Sequence, residues 1–241
     1  MAGPGTDRRL VAARGEGRAL ASAAGALAIV GYAGRFPGAS SPARLWRLLR
    51  AGQSSVGPLS AERAALAGLS ADEAAELVGG FLSGIERFDP LVFRLSPREA
   101  RQMDPRQRLF LETAYQAIEM AGYGGRQLAG TRTGVFVGVG SQDYLAGVSD
   151  AEIGQFWATG SSASMVPSRL AYLLDLQGPS LPVDTACSSS LVAIHLARES
   201  IMLGACDQAI AAGVHVNLWL KSFAAFRQMG ALSAAGRCQA F

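Results

Sequence analysis

A chain of 241 residues, 49% hydrophobic and 17% charged, is long enough and apolar enough to bury one sizeable core. Its formal net charge of +3 arrives without a Lys/Arg block, which argues against nucleic acid as the partner. Cys187, Cys206 and Cys238 are odd in number and widely spaced, with no Cys-x-x-Cys pair, so neither a disulfide framework nor a metal site is expected and a reducing cytoplasm is the default compartment.

Residues 1–25 are rich in Ala, Gly and Arg without an apolar stripe, and are expected to form a flexible lead-in. Arg8, Arg9, Arg14 and Arg18 lack the serine content of an organelle transit peptide. The run from Ala19 to Ala33 is the most apolar, but glycines break it and Arg35 closes it. It is too short to span a membrane, and a buried strand at Leu27–Tyr32 is expected instead. Ser41 followed by Pro42 predicts a helix ending at Gly52, with Leu45, Trp46, Leu48 and Leu49 turned inward. Gln53 to Leu69 is expected as a surface excursion. Ser70 and Glu73 have the spacing of a capping box for a helix over Ala71–Val78. Asp104 and Pro105 open another helix, lined on one face by Leu111, Tyr115 and Ile118 and stopped by Gly122. Arg106, Arg108 and Glu112 are expected to be solvated or paired surface charges rather than catalytic groups.

Gly134 to Val139 is a short apolar run bounded by glycines, the pattern of a buried strand. Its Gly138-Val139-Gly140 is not a dinucleotide fingerprint, because Asp143 stands where the third glycine belongs, and no bound cofactor is expected. A helix over Ser161–Leu174 carries Pro167, which removes a backbone donor and is expected to bend it. Ser180 to Val183 is extended. A small, polar corner follows, then an apolar helix from about Ser188 to Leu203, stopped by Gly204. Ala209–Val216 closes the series as an apolar strand. Strands separated by helices indicate a layered α/β fold.

Cys187 falls where the strand hands over to the helix. Free amide N–H groups and the helix dipole at such a corner favour a nucleophilic sulfur, and the same amides can donate to an oxyanion. Thr185, Ala186, Ser188 and Ser189 are small enough to let an acyl group approach. A buried, inert structural cysteine is the alternative that position alone leaves open. His195 lies eight residues past Cys187, roughly 12 Å along a helix and too far for a direct hydrogen bond. His215 falls in the last strand, and both histidines are expected to be satisfied core residues.

The run Asp184-Thr185-Ala186-Cys187-Ser188-Ser189-Ser190-Leu191 resembles the active-site segment of β-ketoacyl synthases, and within them the ketosynthase domains of type I polyketide synthases. Arg35-Phe36-Pro37-Gly38, Phe88-Asp89-Pro90, Met103-Asp104-Pro105-Arg106, Gly134-Val135-Phe136-Val137-Gly138, Asp143-Tyr144, Gly178-Pro179-Ser180 and Gly236-Arg237-Cys238-Gln239-Ala240-Phe241 continue the resemblance in the same order. It covers residues 26–241. Gln239 stands where a Lys is common, and Pro167-Ser168 where a Ser-Gly pair is usual.

The resemblance implies the amino-terminal half of a thiolase-like fold, in which two similar halves stack as α-β-α-β-α. It implies that Cys187 is the catalytic nucleophile, accepting an acyl chain from the phosphopantetheine arm of an acyl carrier protein for decarboxylative condensation in polyketide or fatty acid synthesis. It also implies a homodimer built through the full ketosynthase core. In that family two histidines, in a His-Gly-Thr-Gly-Thr and an Asn-Ile-Gly-His segment, stabilise the charge formed on loss of CO₂. Neither His195 nor His215 matches those segments, which lie in the family after the point corresponding to Phe241. The expectation is therefore an acyltransferase whose condensation step needs residues outside this sequence. The alternative is a truncated, non-catalytic ketosynthase acting as a pairing or scaffold module.

Overall fold

A three-stranded parallel sheet carries the architecture and fixes where the corner around Cys187 sits. The computed structural model describes residues 26–124, 126–140, 144, 153–218, 220–233 and 235–237. In chain order the described elements are α1 (Pro42–Arg50), β1 (Val56–Pro58), α2 (Ala61–Leu66), α3 (Ala71–Ala75), β2 (Val78–Gly80), α4 (Pro97–Gln102) and α5 (Pro105–Met120). They continue with β3 (Thr133–Val139), α6 (Trp157–Ser161), α7 (Met165–Leu174), β4 (Ser180–Val183), α8 (Ser189–Met202), β5 (Gln208–Val214) and α9 (Leu220–Gln228). The sheet order is β4-β3-β5, both pairings parallel, with Gly138 opposite both Val183 and Gly213. The short β1 and β2 form a separate antiparallel ribbon.

β3 is buried along its whole length, as the middle strand of a covered parallel sheet must be. Its side chains alternate between two cores. Val135, Val137 and Val139 join Phe110 and Leu111 of α5 and Val166 and Leu170 of α7 on one face. Phe136 meets Val183, Ala193 and Ala197 on the other, where α8 lies. Burying each of the larger of these side chains contributes about 1.5–3 kcal/mol. The result is an α-β-α sandwich with α5 and α7 on one side and α8 on the other.

Several local expectations hold. The Ser70 hydroxyl accepts from the Glu73 amide while the Glu73 carboxylate accepts from the Ser70 amide, and this closed box holds the Glu73 carboxyl below its ordinary range. The helix it opens ends at Ala75, because Val78 is drawn into the ribbon with Pro58. Asp104 caps α5 by accepting from the Arg106 amide, and Gly122 ends that region at φ 85°.

Others are corrected. Leu27–Tyr32 forms no strand among the described residues, and Ile29 is 87% exposed; the segment lies beside the end of α5 without a sheet neighbour to pair with. In α1, Leu45 and Leu48 are half-buried, but Trp46 and Leu49 face outward, since the helix rests on only one narrow stripe. The excursion between contains α2 and β1. The helix expected over Ser161–Leu174 is two helices, interrupted at residues 162–164. Pro167 is the third residue of α7, where the N–H it lacks has no intrahelical acceptor anyway, so it removes no helix hydrogen bond. Arg106 is not a surface charge: it is buried with Asp104, Nη2 to Oδ2 being 2.5 Å. The expectations for residues 1–25, Asp143 and Cys238–Phe241 lie outside the described residues.

Candidate active site

All three parallel strands end on one edge of the sheet, and in open α/β sheets ligands gather at that carboxyl edge. Beyond β4, residues Ala186–Ser188 form a single 3-10 turn that passes directly into α8. Cys187 is in the middle of that turn, exposed and unbridged, just ahead of the helix. The buried alternative left open by its position is thereby removed. Cys206 is the buried thiol, donating to the Ser200 hydroxyl at 3.3 Å.

The corner is tight. Ala186 has φ 53°, in the left-handed region that costs a non-glycine residue about 1–2 kcal/mol. Short polar side chains hold it. Asp184 Oδ1 accepts from the Ala186 amide at 3.1 Å. Ser189 Oγ accepts from the Thr185 amide at 2.9 Å and donates to the Ala186 carbonyl at 2.7 Å. Ser188 Oγ lies 2.8 Å from the Thr185 carbonyl and 2.9 Å from its hydroxyl. Among the described residues no acceptor takes the Cys187 amide hydrogen, which leaves it available to a ligand at the sulfur.

Glycines place this corner against the sheet. A Cβ at Gly138 would come within 2.7 Å of the Ser189 carbonyl carbon and the Ser190 nitrogen, and one at Gly213 within 2.6 Å of the Ser190 Cβ. The first turn of α8 therefore rests on bare backbone of β3 and β5. Strand glycines are the only sequence sign of this contact, and their spacing alone does not tell which helix they receive.

Neither histidine is a core residue, contrary to expectation. β5 ends at Val214, so His215 lies just past it, exposed, with Nε2 3.0 Å from Asn217 Oδ1. His195 is on the outer face of α8, 61% exposed and 3.4 Å from Glu199 one turn on. The structure places neither beside Cys187 by any described contact.

Apart from the corner, the structure holds a buried polar network that sequence reasoning missed. The Arg106 guanidinium chelates Asp104 and donates to the Gly140 carbonyl at 3.0 Å, tying the end of β3 to the start of α5. Gln107 donates to the carbonyls of Thr159, Gly160 and Ser162 and accepts from Arg169, which pairs with Glu99 at 2.5 Å. Charged residues in an amphipathic helix pattern look solvated; the partners that make these internal, Gly140, Thr159, Gly160 and Glu99, are distant in sequence. A separate cleft of about 570 Å³ includes Arg35, Phe88, Asp89 and Glu112 in its lining, and Arg35 and Glu112 pair across it at 3.3 Å. None of the residues of the Cys187 corner lines it. Among the described residues no group of three or more His, Cys, Asp or Glu could hold a metal ion, and no helix is long and apolar enough to cross a membrane.

Residues 25–241, which include the α/β half-sandwich and the exposed cysteine at its strand-to-helix corner, match the family model described as "Beta-ketoacyl synthase, N-terminal domain". The chain belongs to that family, and its fold is thiolase-like. It is 45% identical to polyketide synthase PksN of Bacillus subtilis over 223 residues, covering 89% of this chain and 4% of that protein. It is likewise 45% identical to the spectinabilin polyketide synthase system protein NorA' of Streptomyces orinoci, covering 89% of this chain and 6% of that one. Among solved structures it resembles the ketosynthase from module 6 of the bacillaene synthase of Bacillus subtilis, with TM-score 0.78 and 36% identity over 89% of this chain and 36% of that one. The oxazolomycin ketosynthase domain OzmH KS7 of Streptomyces albus gives TM-score 0.77 and 40% identity over 88% and 39%. The chain thus spans a few per cent of these curated relatives and little more than a third of these ketosynthase structures.

Proposed function

We propose that Cys187 is an acyl acceptor in polyketide synthesis, loaded from the phosphopantetheine arm of an acyl carrier protein. The observation that carries this is the exposed thiol on the strained corner between β4 and α8, with no acceptor on its own amide hydrogen among the described residues. The Cys187 thiolate attacks the thioester carbonyl of the carried chain. A new C–S bond forms, the bond to the pantetheine sulfur breaks, and the released thiolate is protonated from solvent. The Cys187 amide donates to the oxyanion formed on the way.

Condensation requires more: the extender must lose CO₂ and its enolate must be stabilised. His195 and His215 have no described contact with the corner, so that step is assigned to the histidine segments the family carries beyond the position of Phe241. Residues 26–241 act as the amino-terminal half of the ketosynthase domain, in a cytoplasmic synthase that works as a homodimer. A second reading is a pairing module without catalysis. The apolar residues that α8 turns outward, Leu191 at 70% and Ile194 at 54% exposure, favour it.

Incubation with a hexanoyl thioester of N-acetylcysteamine, followed by peptide mass spectrometry, tests the first reading. The acyl mass is expected on the Cys187 peptide and is lost in Cys187→Ala. Persistent acylation of Cys206 or Cys238 in that variant would overturn the assignment.

A further inference from the structure

We infer that Ser189 is a positioning residue for the Cys187 thiol, its hydroxyl acting as the latch that keeps the preceding corner in its left-handed form. Ala186 at φ 53° has a Cβ that disfavours that conformation, and the Asp184 carboxylate on its amide fixes only one side of it. Something must hold the residues on either side of it. Ser189 Oγ does so from both directions: it accepts from the amide of Thr185, before the bend, and donates to the carbonyl of Ala186, at the bend. A single side-chain oxygen therefore brackets the strained residue.

The latch is itself immobilised. Ser189 is 7% exposed, and its backbone lies on Gly138 of β3, with Ser190 on Gly213 of β5. The sheet therefore fixes the oxygen, the oxygen fixes Ala186, and Ala186 determines where the next residue, Cys187, presents its sulfur and amide. Ser188 is different. It is exposed, and its hydroxyl reaches only Thr185, so it does not bracket the bend.

The inference deepens the acyl-acceptor reading, but its test does not depend on acyl transfer. The rate of iodoacetamide alkylation at Cys187 is measured in the full chain at neutral pH, with buried Cys206 as the internal check on folding. Ser189→Ala is expected to slow Cys187 about tenfold while Cys206 stays protected, and Ser188→Ala to stay within about twofold of the parent. Adding Ala186→Gly to Ser189→Ala should restore the rate to within about threefold of the parent, because glycine takes the left-handed backbone unaided. A merely structural serine would not be rescued three residues upstream. Should Ser189→Ala expose Cys206, the double variant decides: return of both protection and rate supports the latch, and failure of either overturns it. A folded Ser189→Ala chain within about twofold of the parent, or a double variant as slow as the single one, also overturns it. A parent chain that alkylates at Cys187 but takes no acyl group overturns the acyl-acceptor reading alone, and the alkylation series still judges Ser189.

Discussion

Gly138 and Gly213 are the residues on which the placement of the sulfur most directly depends, because the first turn of α8 lies closer to the sheet than any side chain would permit. The contact that a Cβ at Gly138 would make is with backbone atoms of Ser189 and Ser190, which cannot swing aside as a side-chain end could. Gly138→Ala is therefore expected to lift the start of α8, at a cost of about 1–3 kcal/mol in urea unfolding. It should also slow Cys187 alkylation; an unchanged rate would mean the corner does not depend on the sheet. Glu112 gives a pH-dependent case at the same scale. Burial in the cleft pushes its carboxyl above the ordinary range, with Asp89 adding to the rise while Arg35 and Arg108 oppose it. The folded state thus holds the proton more tightly than the unfolded chain. Its stabilising contribution is complete below the unfolded pKa and is lost as pH rises through the folded one. Between about pH 4 and pH 7 the urea midpoint of the parent should fall relative to that of Glu112→Gln. Parallel curves would show that burial is not felt there.

At the scale of elements, burial separates helices that look alike in sequence. α5 and α1 both carry regularly spaced apolar residues behind a capped, proline-started first turn. Leu111 of α5 is fully buried in the core it shares with residues of β3 and α7, whereas Leu49 of α1 is 59% exposed. Leu111→Ala is expected to cost about 2–5 kcal/mol, and Leu49→Ala to stay within about 0.5 kcal/mol, both by urea denaturation. The starts of these helices were legible because they are local chemistry: Ser41, Ser70 and Asp104 each bond an amide two or three residues on. β4 was legible to the residue, and so was the corner after it. What the sequence could not reveal is which apolar stripe finds a neighbour. Among the described residues Trp46 and Leu49 have the same pattern as Leu45 and Leu48 but no element to cover them, and Leu27–Tyr32 has a strand's composition without a partner strand. Arg106 and Gln107 failed in the opposite direction, since the Gly140 carbonyl that takes Arg106 and the α6 carbonyls that take Gln107 lie far off in sequence. Around Cys187, position together with the family resemblance made the thiol a candidate nucleophile, and position alone left an inert structural cysteine open. The Ser189 bridge needed coordinates, because three consecutive serines are indistinguishable in sequence.

For the whole molecule, the decisive quantity is the apolar surface left on the side of α8 away from the sheet. Ala193 and Ala197 face inward on Phe136 and Val183, while Leu191, Ile194, Met202 and Leu203 are 70%, 54%, 49% and 84% exposed. The outer face of α8 also carries His195, Arg198 and Glu199, but a helix that turns this much apolar surface outward beside its charges is one that a further layer can cover. Ile29 and Val30, at 87% and 66% exposure, add to this uncovered surface elsewhere. An apolar surface of this kind is expected to associate. Sedimentation velocity across a concentration series should show the chain self-associating, and Leu191→Lys with Ile194→Lys should shift it towards monomer. Both side chains already project into solvent, so the two lysines should leave the urea midpoint nearly unchanged, within about 0.5 kcal/mol each. A parent chain that sediments as a monomer at every concentration would mean that this outer layer of α8 is tolerated bare. An association untouched by the two lysines would place the contact elsewhere, with the residues around Ile29 as the next surface to alter.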